Sequence, residues 1–331
     1  MNDHRTLRFL SAADVRRALP MKEAVEVMKE AFRELSESRA IVPPRTHVAV
    51  PEHQGGVLVM PAYSPDTARF GVKVITLFEN NPALNLPFIQ AMVMVFDATT
   101  GSALAIMEGT SLTAIRSGAA SGAATDLLAR ADARKVAIFG AGLQARTQLD
   151  AMCAVRAICS ASVFDQDPTR AATFARDASA ELGICVSVAL SSAEALDGAD
   201  VICTATTSAT PVFADCEVAV GTHINAIGSY KPHMREIPAA TVVRAHVVVD
   251  QLDAAWAEAG DLILPLQAGL IELGHLRAEL GELVAGTKPG RSDAQALTFF
   301  KSVGIAIQDL AAASRVLANA GVLGLGTEVR L

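Results

Sequence analysis

The sequence predicts an α/β protein of two domains, one built on a parallel sheet and the other of mixed α+β character. Three observations carry that expectation. Strand-like runs crowd together between residues 45 and 107 with no helical pattern between them. After residue 135, short apolar runs alternate with helical patterns, the arrangement that gives a parallel sheet with crossover helices. At 331 residues the chain has room for two domains of ordinary size, and with 51% hydrophobic residues it can bury a substantial core.

The elements follow in order. Ser11-Ala12-Ala13-Asp14 has the spacing of a capping box, and Pro20 suits the first position of a second helix. Ala24, Val27, Met28, Ala31, Phe32 and Leu35 recur at helical spacing and predict an amphipathic helix. The runs GVLVM, RFGVKVITLF, IQAMVMVFD and SALAIM, separated by Pro, Gly, Asn and Asp, then read as strands. Residues 110–130, rich in Ala, Gly and Ser, read as a helix leading into the second domain. There the strand candidates are KVAIF (135–139), SVFD (162–165), ICVSV, DVICTA, HINAI and HVVVD, with Pro168 starting a helix. A last helix over about residues 303–320 is expected to return to the first domain.

Composition excludes several functions. The longest apolar run, residues 88–96, is strand-sized and interrupted by Gln90, so no membrane partner is expected. The opening MNDHRTLRFL is polar and charged, without the apolar region of a signal peptide. Five cysteines without CxxC spacing predict reduced thiols and a cytoplasmic location. Seven histidines include no HExxH, and no metal site is expected. A net charge of −7 argues against a nucleic-acid partner, which needs a basic footprint.

Two constellations carry chemistry. Gly140-Ala141-Gly142-Leu143-Gln144-Ala145 fits G-x-G-x-x-A between a strand and a helix. Gly140 permits the tight turn, Gly142 lets backbone approach a pyrophosphate, and Ala145 lets the helix pack close to its strand, as in a Rossmann-type domain. Asp165 ends the following strand, where a carboxylate accepts hydrogen bonds from the ribose hydroxyls of NAD and repels the 2′-phosphate of NADP. NAD(H) is therefore the expected cofactor, with NADP(H) as the alternative; a turn-starting aspartate is the plainer reading of Asp165. The second constellation is cationic. Lys73 lies mid-strand on the face of Ile75 and Leu77, Arg45 follows Pro43-Pro44, and Arg116 lies early in a helix among small residues. A lysine within an apolar strand is costly unless paired or functional. Together the three could clamp a substrate carboxylate; singly they read as ion pairs or snorkelling side chains.

PPR (43–45), VMPAY (59–63), GVKV (71–74), LTAIRSGAASGAA (112–124), GAGLQA, GTHINAIG (221–228), ELGELVAGTKPGR and FKSVGIAIQDL together resemble the ornithine cyclodeaminase/mu-crystallin family over nearly the whole chain. The resemblance implies an NAD(P)-binding Rossmann domain, residues 121–304. It also implies a discontinuous substrate domain that forms a homodimer, residues 1–120 with the C-terminal part from about 305 to 331. Arg45, Lys73 and Arg116 match the positions that hold the substrate carboxylate. Ser117, Gln144, Ala145, Asp165, Thr204 and Ile227 match cofactor contacts. Ser302, Val303 and Gly304 fall in a segment expected near the nicotinamide, with Gly304 on the substrate side.

The sequence departs from this pattern at one informative place. Cyclodeaminases and the related alanine dehydrogenases carry an aspartate where this chain has Tyr230, after Asn225-Ala226-Ile227-Gly228. A tyrosine, with an ordinary pKa of about 10, cannot serve as a carboxylate base near neutrality, but it can donate a hydrogen bond or stack on a ring. That puts cyclodeamination in doubt and leaves reduction of a preformed imine. The first expectation is therefore an oxidoreductase of proline and related amino-acid metabolism. It would reduce a small cyclic 2-carboxy imine, Δ1-pyrroline-2-carboxylate or Δ1-piperideine-2-carboxylate, with Lys73 and Tyr230 as the catalytic candidates. An ornithine cyclodeaminase or alanine dehydrogenase is the second expectation, needing a replacement carboxylate such as Glu79 or Asp309. A non-catalytic, cofactor-gated binder of crystallin type is the third.

Overall fold

The structure, a computed structural model, describes residues 6–330; the charged first residues of MNDHRTLRFL and Leu331 lie outside them. Two compact units divide the chain. One ends at Arg116 and resumes at Ile305, and the other is Ser117–Gly304.

The first unit is built on a seven-stranded sheet. Its order is Thr327–Arg330, Thr6–Leu10, Ala103–Glu108, Ile89–Asp97, Arg69–Phe78, Gly55–Ser64, Thr46–Val50. Neighbours run antiparallel except Thr6–Leu10 beside Ala103–Glu108. The register sets Met60, Lys73 and Val93 side by side, with Ala62, Gly71 and Val95 in the next row of the same face. All six are buried. The helix Ala306–Leu323 covers this face. A side chain on Gly71 would begin 3.0 Å from Leu310 Cδ1, so glycine there lets the helix close on the strand. The helix Met21–Ser36 packs on Ala306–Leu323 through Ala24, Val27, Met28, Ala31 and Phe32, as its periodicity predicts. Ser11 and Asp14 form the expected capping box before the helix Ala12–Ala18. Pro20 falls one position earlier than expected: its ψ of 146° is extended, which makes it the N-cap, with helical backbone starting at Met21.

The second unit holds eight parallel strands. Their order is Leu276–Glu279, His246–Val249, Thr298–Lys301, His223–Ala226, Val201–Thr204, Lys135–Phe139, Ser160–Phe164, Cys185–Val188. The chain winds one way from Lys135–Phe139 through the next two strands and the other way from Val201–Thr204 onward. That places the topological switch point between Lys135–Phe139 and Val201–Thr204, where such sheets bind ligands beyond their carboxyl ends. Thr298–Lys301, a central strand between His223–Ala226 and His246–Val249, has no counterpart among the strands expected from the sequence. Its four residues are all buried, so they show no alternation to detect. Thr6–Leu10, Leu276–Glu279 and Thr327–Arg330 were missed too; each is only four or five residues long.

The helix Gly109–Leu128 carries Arg116 and Ser117 in succession, and Ala119, Ala120, Ser121, Ala123 and Ala124 in it are fully buried. Small residues along that row let neighbouring backbone come close. No helix among the described residues is long and apolar enough to cross a membrane.

Candidate active site

In the first unit the cations gather on one carboxylate. Lys73 comes from the covered face of its strand and Arg116 from the helix that starts at Gly109. Asp309 comes from the first turn of Ala306–Leu323. Lys73 Nζ lies 2.5 Å from Asp309 Oδ2, and Arg116 Nε donates to Asp309 Oδ1 at 3.0 Å. Arg116 Nη1 also donates to Gln308 Oε1 at 2.5 Å. Lys73 and Asp309 are buried and Arg116 nearly so. Burial drives the Lys73 ammonium down to a pKa of about 7; Asp309 opposes the fall, while the charges of Arg116 and Arg45 deepen it. Burial pushes the Asp309 carboxyl upward, but Arg116 and Lys73 outweigh it and hold the group below its ordinary range. Arg45, half-buried just before the strand Thr46–Val50, therefore acts on Lys73 through its field. One carboxylate faces more cationic charge than it can balance, which suits an incoming anion. Glu79, the other replacement carboxylate considered from sequence, is exposed.

The second unit builds a dinucleotide cradle. Gly140 has φ +97°, a left-handed conformation that a side chain resists, and its missing Cβ would stand 2.8 Å from the carbonyl of Ala205. Gly142 is the N-cap of Leu143–Val155; nothing stands closer to its Cβ position than Arg170 Nη2 at 3.9 Å. Ala145 is buried against the strand, as the fingerprint requires. A cavity of about 640 Å³ opens beyond the strand ends, lined by Gly140, Ala141, Gly142, Asp165, Gln166 and Thr206 among others. Asp165 accepts the Ala141 N–H at 2.8 Å and the Asp167 N–H at 2.9 Å, and Arg170 Nη2 lies 4.0 Å away. Two polar atoms expected at the cofactor, Gln144 Oε1 and Thr204 Oγ1, are buried without a hydrogen-bond partner. Orphaned polar atoms are costly in a folded chain unless a ligand satisfies them. Neither residue lines the cavity, however; what fits a bound dinucleotide there is the bare glycine turn with the helix N-terminus beside it.

Of the remaining expected residues, Ile227, Tyr230 and Ser302 to Gly304 follow strand ends of this sheet, while Ser117 lies in the helix Gly109–Leu128. Ile227 and Tyr230, both half-buried, follow the strand His223–Ala226, and Lys231 Nζ lies 5.8 Å from the centre of the Tyr230 ring. Ser117 accepts the Gln148 side-chain amide at its carbonyl, 3.2 Å away. Ser302 Oγ, Val303 N and Gly304 N all donate to Asp250 Oδ2, at 2.8, 2.9 and 2.8 Å. Sequence reasoning missed Asp250, although it ends the run HVVVD much as Asp165 ends SVFD. It weighed Asp309 only as a substitute base. The available signal was the pair Gln308-Asp309 inside an apolar helical pattern, and both residues are buried.

The ornithine cyclodeaminase/mu-crystallin family matches residues 5–321. The chain belongs to that family. Among its members, a Δ1-pyrroline-2-carboxylate reductase of Bacillus cereus is 36% identical over 321 residues, 97% of this chain and 98% of that protein. Among solved structures, the Thermococcus litoralis Δ1-pyrroline-2-carboxylate reductase in complex with NADH and L-proline superposes with a TM-score of 0.94. It has 42% identity and covers 97% of this chain and 100% of that one. An archaeal alanine dehydrogenase dimer with bound NAD gives a TM-score of 0.91 at 32% identity, covering 98% of this chain and 99% of that one. The family's α/β architecture with a parallel nucleotide-binding sheet is thus the architecture of this chain.

Proposed function

We propose that this chain is an NAD(H)-dependent oxidoreductase that reduces Δ1-pyrroline-2-carboxylate, or its six-membered homologue, to the L-imino acid. The carrying observation is the buried pairing of Lys73 and Arg116 on the carboxylate of Asp309, with the charge of Arg45 also acting on Lys73. A buried cluster with surplus positive charge selects a small anionic substrate. Relatives named for this reduction, one holding NADH and L-proline, support the same reading. NADP(H) is the lesser cofactor, because the Asp165 carboxylate lines the nucleotide cavity.

NADH held at the Gly140–Gly142 turn beside Asp165 would supply a hydride to the imine carbon. Arg116 and Arg45 hold the substrate carboxylate, with the arginine fork matched to its two oxygens. When the substrate carboxylate enters, Asp309 is one of two anions sharing the cations, and Lys73 is held in its ammonium form. Lys73 then gives a proton to the ring nitrogen as the carbon takes the hydride, leaving a neutral secondary amine. Tyr230 shapes the pocket and donates a hydrogen bond. It cannot act as the carboxylate base of a cyclodeaminase, so the imine enters preformed.

Residues 1–120 with 305–331 serve substrate binding and dimerisation, and 121–304 bind the dinucleotide. The first unit's sheet favours a dimer through the face turned away from the helix Ala306–Leu323. Val59, Val74 and Met92 form one row there, with Val72 and Met94 in the next; none is buried, and Met92 is 52% exposed. An apolar face of this kind calls for a second copy to cover it.

The test is NADH oxidation by the purified protein with Δ1-pyrroline-2-carboxylate, with L-proline as the product to be identified. Rapid turnover is expected. NADH binding without turnover on either cyclic imine would overturn the reading.

A further inference from the structure

The second unit buries a group of charges that neither the cradle nor the cation cluster uses. Glu236, Asp261 and Lys301 are fully buried, as is Ser229 between them. Lys301 Nζ meets three acceptors for its three protons: Asp261 Oδ2 at 2.8 Å, the Ser229 carbonyl at 2.6 Å and Ser229 Oγ at 3.1 Å. Asp261 also accepts Ser229 Oγ at 2.6 Å and the N–H groups of Glu236 and Ile237 at 2.7 and 2.9 Å. Glu236 reaches two loops. Its Oε1 accepts the Thr206 N–H at 2.6 Å and hydroxyl at 2.8 Å; its Oε2 accepts the N–H groups of Gly228 at 2.8 Å and Ser229 at 3.2 Å.

What these charges hold is specific. Thr206 follows the strand Val201–Thr204 and lines the nucleotide cavity, and Gly228-Ser229 lead directly into Tyr230. A side chain on Gly228 would begin 2.5 Å from Thr206 N and 2.6 Å from Glu236 Oε1, so the two loops meet around the carboxylate. An apolar filling of the same volume would be at least as stable, since buried charges recover their desolvation cost only through good pairing. It could not, however, pin four backbone groups of Gly228, Ser229 and Thr206 in one arrangement. We infer that Glu236, Asp261 and Lys301 are positioning residues, which fix the Thr206 and Gly228–Tyr230 loops so that the cofactor is held in its reacting geometry. This rests on the reductase reading above. All three are fully buried and act through the loops, not on the substrate.

The experiment compares Glu236→Gln and Ser229→Ala with the wild type. The first keeps the shape but replaces one acceptor oxygen with an NH2 group, a donor that faces two donors. The second removes only the hydroxyl that joins Lys301 to Asp261. Three readouts are taken on folded protein: NADH dissociation constant, steady-state kinetics with Δ1-pyrroline-2-carboxylate, and the primary isotope effect with NADH deuterated at the transferring position. In Glu236→Gln, kcat should fall by about a hundredfold, the loss expected when reacting groups shift by about 1 Å. The isotope effect on kcat should rise as hydride transfer becomes limiting, and Ser229→Ala should show a smaller change in the same direction. Folded variants with wild-type kcat and isotope effect, differing only in melting temperature, would make the network purely structural and overturn the inference. If Glu236→Gln does not fold, Ser229→Ala decides alone. If the wild type binds NADH but turns over no cyclic imine, the reductase reading fails by itself. The NADH dissociation constant then decides the positioning role: weakened binding in the variants upholds it, and unchanged binding ends it.

Discussion

Lys73 faces Asp309 at 2.5 Å in one unit, and Lys301 faces Asp261 at 2.8 Å in the other, with all four side chains buried. Both lysines sit in strands, and both pairs look alike by distance alone. Their surroundings differ. Lys301 has a carbonyl and a hydroxyl besides its carboxylate, so every proton has an acceptor. The neighbours of Lys73 are cations: Arg116 shares Asp309, and Arg45 adds its field. Burial and that repulsion bring the Lys73 ammonium to about 7, where it can hold or release a proton near neutrality. A buried charge whose protons are all accepted by its own fold is a brace. A buried charge crowded by like charges waits for a ligand to complete it.

Exchanging each lysine for methionine is the sharpest way to break this comparison. Lys73→Met should lower kcat/KM by about 10²–10⁴-fold, the usual worth of a positioned acid, while folding stability stays close to wild type because Arg116 still balances Asp309. Lys301→Met should cost about 3–5 kcal/mol of stability, since it leaves Asp261 buried without its cation. Thermal melts and steady-state kinetics on both variants check the pair; equal losses in both readouts would erase the distinction.

Arg116→Ala comes next in size. Losing a charged hydrogen-bonding partner of the substrate carboxylate should raise KM for the imine by about ten- to a hundredfold, corresponding to about 1.5–3 kcal/mol. A wild-type KM would remove Arg116 from the substrate site.

The pH dependence follows from the same lysine. The free enzyme loses the Lys73 ammonium as pH rises through about 7, so kcat/KM for the imine should fall on the alkaline side. That limb should vanish in Lys73→Met. Stability should move the other way. Between about 7 and the ordinary 10.5 the unfolded chain holds the proton that folded Lys73 has lost, so the lysine's contribution to stability rises with pH across that window. Urea titrations of wild type and Lys73→Met at both ends of the window test the sign.

The smallest effect concerns the cradle. Asp165→Ser should shift the NADPH-to-NADH ratio of kcat/KM towards NADPH by about tenfold, the worth of roughly one charged hydrogen bond. An unchanged ratio would remove Asp165 from ribose recognition.

Much of this was legible in the residues themselves. The alternation of KVAIF, SVFD, DVICTA and HVVVD with helical runs forces a parallel sheet, because each short apolar strand needs a crossover helix to reach its neighbour. G-x-G-x-x-A declares its turn because only glycine tolerates the backbone seen at Gly140. Lys73 stood out because its strand neighbours are apolar. Thr298–Lys301 escaped because four buried residues carry no period, although that strand is what delivers Lys301.

Partnership was decided only by tertiary structure. Asp309 lies 236 and 193 positions from Lys73 and Arg116 by subtraction of their numbers, and no local pattern links them. The same holds for Lys301 and Ser229, joined across strands that the sheet order alone brings together. A sequence specifies which groups must be buried through periodicity and side-chain type, which act over a few residues. Which buried charge balances which depends on the folding of distant segments into one volume, and so does whether a buried lysine finds an acceptor for every proton or shares its one carboxylate with another cation.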